Sequence, residues 1–313
     1  MRAKFLFALL TTLFFTLAAS AQTPKQASAQ SARTITVITE PNATVWLDEV
    51  KYGATDDGGK LTLRNISAGA RKLRVRANGF GEIARNITAA QKGDVKIALS
   101  KTTDEAELLF QQAEIEAGKD RGKAVEFYKR AIALRPKYAE ANLGLARVLL
   151  AQNDTEGALK AVQTARAARA GYAEAAAVEG RIYQAEDRED KAIAAFKRSI
   201  AEGKNHQPEA RAGLGLLYRD RAEGFAASGD FESEQANYKL AAAELDRAAA
   251  QLGTAPDAIT IYQLLGDCYE RAKMYAEAIK VYEKFLRLFP DSDEAEAVRS
   301  FIVQINKRLE SEQ

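Results

Sequence analysis

The sequence predicts a multidomain protein, in which a small all-β sandwich is followed by an all-α solenoid. Two periodicities support this fold class. In the first part of the chain apolar and polar residues alternate, as in strands with one buried face. Farther along, Ala124, Ala158 and Ala192 stand 34 residues apart, and their surroundings repeat with them. A fixed period of this length is typical of stacked helix pairs, which present a long concave surface and favour binding over catalysis.

The first residues of the chain, 1–21, are predicted to be a signal peptide. Two basic residues precede an apolar run at 5–19, and a pattern of small residues suitable for cleavage ends at Ala21. We therefore expect cleavage after Ala21 and a periplasmic or secreted protein. The alternative is a retained membrane anchor, although the apolar run is shorter than the roughly 20 residues that a spanning helix needs. Residues 22–33 are polar and aperiodic, which predicts a linker.

Residues 34–101 are predicted to form a small antiparallel sandwich. Short alternating segments are separated by turn residues, among them Pro41-Asn42 and the run 56–59. The predicted strands are 34–38, 44–47, 60–63, 72–76 and 95–99.

The same region carries residues typical of a known β domain. They are the run 41–48, the tripeptide Gly53-Ala54-Thr55, and Gly79-Phe80. With them the region resembles the PEGA domain, a small envelope-associated β domain. The segment 55–80 is also similar to the carboxypeptidase regulatory-like domains. Both resemblances imply a β-sandwich without a catalytic site, often at the cell surface.

Trp46 is the only tryptophan and the candidate binding residue on the surface of the β domain. Strand alternation places it opposite Val45 and Leu47. If those two residues face the core, the indole lies outside and could stack on a sugar or a partner. In the alternative, Trp46 faces the core and its two neighbours pack elsewhere.

Residues 104–310 are predicted to form the solenoid. The last repeat has a small residue in its first helix, an alanine and two aromatic residues in its second, and a closing proline: Gly266, Ala278, Tyr282, Phe285 and Pro290. With these residues the region resembles tetratricopeptide repeats. The predicted units are 105–138, 139–172, 173–206, an extended unit at 208–258, 259–292, and a capping helix at 293–310.

The extended fourth unit has two interpretations. Its two helices would be longer than the others and would project beyond the stack, where insertions in solenoids can carry binding. Alternatively, the extra length is a tolerated insertion without a role.

The resemblance to tetratricopeptide repeats implies that the first helix of each repeat lines the concave groove. Arg147 and Arg181 occupy equivalent positions in adjacent repeats. Together with Arg219 they could form a basic strip that binds an acidic side chain or a chain terminus through forked hydrogen bonds. Alternatively, these arginines pair with Glu140, Glu174 and their neighbours on the same surface. The other candidate groove residues are Leu143, Gln184 and Gln263.

The sequence shows no motif for catalysis, for a cofactor or for a metal ion. His206 and Cys268 are the only residues of their types, too few for a zinc site of the usual kind. We expect His206 in a solvent-exposed loop and Cys268 as a buried free thiol. The net charge of +2, without a strong basic stripe, is not that of a typical nucleic-acid binder.

We therefore expect an exported, non-enzymatic scaffold or adaptor of the bacterial cell envelope, which binds a protein or peptide in its groove. The alternative is a cell-wall or polysaccharide-binding envelope protein, attached to glycan through the β domain. Membrane contact is expected only through the first segment, if that segment is not cleaved. No cofactor and no metal are expected.

Overall fold

A computed structural model describes residues 33–66 and 69–311 of the chain. The predicted signal peptide, its cleavage site and the linker up to residue 32 lie outside the described residues. Within them, a strand-rich region precedes a stack of helices, so the predicted fold class is confirmed. The linker prediction is wrong at its last residue. Arg33 begins the first strand, and its buried guanidinium donates to the carbonyl oxygens of Ala89 at 2.5 Å and Gly69 at 2.7 Å.

The strand-rich region consists of two sheets, with strand orders β4-β1-β7 and β3-β2-β5-β6. The strands are β1 (Arg33–Ile38), β2 (Thr44–Leu47), β3 (Val50–Ala54), β4 (Lys60–Ile66), β5 (Arg71–Arg76), β6 (Ile83–Ile87) and β7 (Gly93–Lys96). Alternate residues of the two inner faces form the core between the sheets, among them Ile35, Val37, Val45, Leu47, Leu73 and Val75.

The sandwich contains two strands that the sequence did not predict, β3 and β6, and one of its pairings is not antiparallel. The strand β7 runs parallel to β1, with Ile35 opposite Gly93 and Ile38 opposite Lys96, whereas the other pairs are antiparallel. The chain crosses from the second sheet to the first between β6 and β7, and therefore β7 joins the far edge of β1 instead of forming a hairpin. Such a crossover leaves no hairpin signal in the sequence.

The helices of the described region follow in antiparallel pairs. They are α1 (Glu105–Glu116), α2 (Arg121–Leu134), α3 (Ala139–Ala151), α4 (Thr155–Ala168), α5 (Ala173–Ala185), α6 (Glu189–Glu202), α7 (Pro208–Ser228), α8 (Phe231–Leu252), α9 (Ala258–Arg271), α10 (Tyr275–Leu288) and α11 (Ala295–Ser311). The pair α7 and α8 has 21 and 22 residues. In the ranges that the structure describes, no helix is both long enough and apolar enough to cross a membrane.

Glycines allow the helices of the stack to approach one another closely. A Cβ atom on Gly144 would lie 2.5 Å from the ring of Tyr128, and one on Gly266 would lie 2.2 Å from the ring of Tyr282. Both tyrosines are almost completely buried, with 1% and 3% of their surface exposed. The aromatic residues therefore fill the space between helices, and a larger residue at either glycine would push the helices apart.

Candidate functional site

The outer face of the β3-β2-β5-β6 sheet lies over the first helices of the repeats. A cavity of about 1380 Å³ separates this sheet from α1, α3, α5, α7 and the start of α9. The described residues, 33–66 and 69–311, belong to one compact unit, so both walls of the cavity belong to the same body. We call this space the groove cavity; its walls include Trp46, Glu49, Arg74 and Arg76 from the sheet and Leu143, Arg147, Arg181, Gln184, Glu209 and Leu216 from the helices. The groove predicted from the repeats is thus covered by the chain's own β domain.

Two arginines of adjacent repeats converge on one carboxylate in the groove cavity. Nη2 of Arg147 lies 2.9 Å from Oε2 of Glu209, and Nη1 of Arg181 lies 3.2 Å from Oε1 of the same residue. Burial alone would raise the pKa of Glu209, but the two guanidinium groups hold it below its usual value. The carboxylate is therefore ionised at neutral pH and bridges the two repeats.

The arginines do not pair with the carboxylates of their own helices. The alternative predicted from sequence named Glu140, Glu174 and their neighbours on the same surface as partners, and the observed partner, Glu209, is such a neighbour. Instead, Glu140 forms an ion pair with Arg169. Burial raises the pKa of Glu174, and the nearby Glu49 carboxylate adds to this effect. Arg147 and Arg181 are thus both held by Glu209 of the fourth unit, on the helical wall of the groove cavity.

Four of the six predicted groove residues line the groove cavity: Leu143, Arg147, Arg181 and Gln184. Arg219 and Gln263 are not among its lining residues. Arg219 lies one turn beyond the lining residue Leu216 and pairs along α7 with Asp220 at 3.1 Å and Glu223 at 3.6 Å. Of the three arginines of the predicted strip, the structure therefore brings together only the first two in the groove cavity. Binding of a ligand by these residues stays a prediction.

Trp46 lies on the face of its strand opposite Val45 and Leu47, which are both in the sandwich core. The indole is nevertheless not an open surface. The guanidinium of Arg74 lies 4.1 Å from the ring centroid and that of Arg76 lies 5.1 Å from it, which leaves the residue 9% exposed. A sugar or aromatic ligand would have to displace Arg74 before it could stack on this ring.

The sequence analysis missed Glu209, although a signal for it exists. Glu140, Glu174 and Glu209 are each the second residue of the first helix in successive repeats. Acidic residues are favourable there because the N-terminus of a helix carries partial positive charge. The register that identified the arginines, with a shift of one residue in the fourth unit, would therefore have identified their common partner as well.

His206 is not a fully exposed loop residue, contrary to the prediction. It lies in the loop before α7, half-buried at the edge of the groove cavity. Burial lowers its pKa below 6.5, while the carboxylate of Asp48 acts in the opposite direction and Arg71 and Arg211 add to the lowering. The pKa of the imidazole therefore depends on charged groups of both the β domain and the solenoid.

The described residues contain no other group with evident chemistry. Cys268 is a buried free thiol, as predicted, and burial raises its pKa to about 12. Within 33–66 and 69–311, no group of three or more His, Cys, Asp or Glu side chains could hold a metal ion. The groove cavity is thus the main site that the described chain offers to a partner.

Comparisons with known protein families match both parts of the chain. The family model of the PEGA domain matches residues 33–103, and models of the tetratricopeptide repeat match residues 115–182 and 259–292. A search of curated proteins finds no match.

Several solved structures are similar to this chain. TTC0263, a thermophilic TPR protein of Thermus thermophilus, is 20% identical over 64% of this chain and 98% of its own, with a TM-score of 0.45. The protein MamA is 20% identical over 62% and 96%, with a TM-score of 0.40. The first TPR of Spaghetti (RPAP3), solved with an HSP90 peptide, is 16% identical over 39% and 96%, with a TM-score of 0.36.

Proposed function

The chain is a tetratricopeptide repeat protein with an N-terminal PEGA domain, and from this premise we propose that it is a non-enzymatic scaffold that binds a protein or peptide segment in its groove cavity. Tetratricopeptide repeats are generally protein-interaction modules. PEGA domains occur in extracytoplasmic proteins, which supports a place for this scaffold in the periplasm or outside the cell.

The observation that carries the proposal is the shared contact of Arg147 and Arg181 with Glu209. Each guanidinium gives one N–H group to a different oxygen of that carboxylate. A guanidinium has five donors, so each arginine retains donors for a second acceptor. A carboxylate of a ligand would bind beside Glu209 or in its place, because the two cations are already positioned to bind an acidic group. We therefore expect the bound segment to carry an acidic side chain or a free C-terminus.

The size of the groove cavity supports a chain segment as the ligand. Its volume of about 1380 Å³ exceeds the roughly 300–1,000 Å³ of typical small-molecule sites. Its walls carry ionic groups together with apolar side chains such as Leu143, Tyr172 and Leu216. Such a mixture suits an extended peptide, whose side chains alternate between the two walls.

The test is a binding assay with short synthetic peptides of three kinds, acidic, neutral and basic, labelled for fluorescence anisotropy. We expect the full chain to prefer acidic peptides. Replacement of both arginines, R147Q with R181Q, should weaken that binding at least about tenfold, because two charge-assisted hydrogen bonds are lost.

A matched control keeps the number of replaced charges the same. Arg188 and Arg299 form exposed ion pairs outside the groove cavity, so the double variant R188Q with R299Q should bind acidic peptides like the parent. Equal binding of acidic peptides by both double variants would contradict the proposed site.

A further inference from the structure

The contacts between the β domain and the solenoid fall into two groups at opposite ends of the groove cavity. The first group, which we call the hinge contact, joins residues 76–80 to α1. The backbone N–H of Gly79 donates to Oε1 of Gln111 at 2.8 Å, and Nε2 of Gln111 donates to the carbonyl of Phe80 at 2.8 Å. Arg76 pairs with Glu114 at 3.2 Å. These residues lie where the chain itself passes from one domain to the other, since the N–H of Thr102 donates to Gly79 at 3.0 Å.

The second group, which we call the latch, joins the β domain to the loops before α7 and after α8. The hydroxyl of Tyr52 donates to the carbonyl of Leu252 at 3.3 Å, and Oγ1 of Thr254 donates to the carbonyl of Arg64 at 2.8 Å. Val50 projects from β3 into the apolar cluster that includes Leu252. Asp48 also acts on His206 electrostatically and through a backbone hydrogen bond. The latch therefore consists of Asp48, Val50, Tyr52 and Arg64 on one side and His206, Leu252 and Thr254 on the other.

The backbone at the end of α8 is shaped for this contact. Gly253 ends the helix with a φ of +61°, a conformation that glycine adopts more readily than other residues. A Cβ atom there would lie 3.2 Å from the hydroxyl of Tyr52. The tight turn and the absent side chain let the tyrosine reach the carbonyl of the preceding residue.

The two groups of contacts differ in whether the two domains stay close together after the hydrogen bonds break. The hinge contact adjoins the covalent connection, so its residues stay close together even if its hydrogen bonds open. The latch joins residues about 200 positions apart in sequence and has no such connection. Between the two groups, Glu49 of the sheet is attracted by Arg169 and repelled by Glu174 of α5, and it forms no direct ion pair with the solenoid; its ion pairs are with Lys72 and Arg74 of its own sheet. Closure therefore depends on a small set of contacts at one end.

We propose that the PEGA domain is a hinged cover of the groove, closed by the latch, and that a folded partner reaches Arg147 and Arg181 only after the latch opens. A peptide segment enters the groove cavity from its open edges, whereas a folded surface needs the wall formed by the sheet to move away. Domains of one chain that share a small interface commonly move relative to each other. The claim that a partner needs the cover to open rests on the proposed function. The opening of the cover itself does not, because it can be measured without a partner.

The opening is tested with the full chain and a cysteine placed at the covered wall, in the variant E174C. Glu174 is half-buried in the groove cavity, on α5, facing Glu49. The cysteine is treated in parallel with a small maleimide and with a maleimide carried on a small folded protein. Cys268 should not react with either probe because its thiol is buried. Any residual reaction at Cys268 is measured with the parent chain, which lacks the added cysteine.

Two changes at the latch are combined with E174C. The substitution V50D places a charge in the apolar cluster, and the pair Y52F with T254V removes two hydrogen bonds at nearly constant shape. We expect the bulky probe to react slowly with the closed chain, at least about tenfold faster with V50D, and moderately faster with Y52F and T254V, whereas the small probe changes little. If V50D fails to fold, as judged by circular dichroism, the conservative pair decides the question.

The matched control places the cysteine at Lys197, an exposed position on α6. Its reaction with both probes should be the same in all backgrounds. The cover is refuted if the bulky probe reacts as fast as the small one with the closed chain, or if folded latch variants leave its rate unchanged. If the full chain shows no preference for acidic peptides but the latch variants react faster with the bulky probe, the proposed ligand is rejected and the proposed cover is retained.

Discussion

The hydroxyl of Tyr52 in the β domain donates to the carbonyl of Leu252 at the end of α8, with 3.3 Å between the two oxygens. Burial at this contact raises the pKa of Tyr52 to about 12, so the hydroxyl stays protonated and remains a donor over the physiological range. This contact links the β domain to the fourth unit of the solenoid at one end of the groove cavity. The groove of this repeat protein is therefore bounded by a second domain of the same chain.

The first prediction concerns Glu209, which occupies both arginines. The substitution E209Q removes the charge and frees Arg147 and Arg181 for a ligand. We expect binding of acidic peptides to strengthen by about three- to tenfold, because the internal carboxylate no longer competes. The free energy of unfolding should fall by about 1 kcal/mol or less, since these ion pairs are partly exposed. Anisotropy and urea denaturation measure the two effects.

The control for this prediction is the variant E296Q. The carboxylate of Glu296 is 89% exposed on α11. The substitution should change neither the affinity nor the stability. Weaker peptide binding in E209Q than in E296Q would mean that the glutamate itself contributes to the ligand site.

The second prediction uses two glycines in helices. The substitution G266A places a methyl group 2.2 Å from the ring of Tyr282, so the helix pair must separate, and we expect a loss of about 1–3 kcal/mol of stability. The substitution G224A is the matched control, because apart from the backbone of its own helix no atom lies within 4 Å of its added methyl group. It should stabilise the chain by about 0.5–1 kcal/mol, since alanine favours helix. Thermal denaturation of both variants would reject this account if the two shifts were equal.

The third prediction concerns the pH dependence of His206. Burial lowers its pKa in the folded state, so the unfolded chain binds the proton more readily as the pH falls below about 6.5. The contribution of the neutral imidazole to stability is therefore complete above that value and is lost as the pH falls through the folded pKa. The charged groups that face it are Asp48 and Arg71 of the β domain and Arg211 of α7.

The measurement compares the parent with H206Q by urea denaturation between about pH 7.5 and about pH 5.5. The parent should lose stability relative to the variant as the pH falls, because the variant has no imidazole to protonate. A difference in stability that is independent of pH would show that His206 does not titrate with folding.

The sequence predicted the fold class and part of the site, for reasons that can be traced to particular residues. The 34-residue register placed Arg147 and Arg181 at equivalent positions, because identical helix pairs present equivalent residues to the same surface. Glu209 lies 35 residues after Glu174, one residue more than this period, and so does not fall strictly in the register. The strand β3 was missed because its sequence, VKYGA, does not alternate clearly over its length.

The cover over the groove could not be predicted from local patterns. Val50 has the sequence signature of any strand residue, and nothing in the neighbourhood of Leu252 indicates a partner 200 residues earlier. Docking between domains depends on the shapes of two complete surfaces, whereas periodicity reports only which face of one element is buried. For the same reason, the burial of Trp46 under Arg74 was not foreseen.

The measurement that tests the central claim most directly is a reversal of charge in the groove cavity. In the double variant R147E with R181E, two carboxylates replace the two guanidinium groups at the site. Anisotropy with acidic and basic peptides should show that the parent prefers the acidic peptide and that the variant prefers the basic one, with unchanged helicity in circular dichroism. The same peptide preference in both proteins would contradict the claim that these two arginines form the site of recognition.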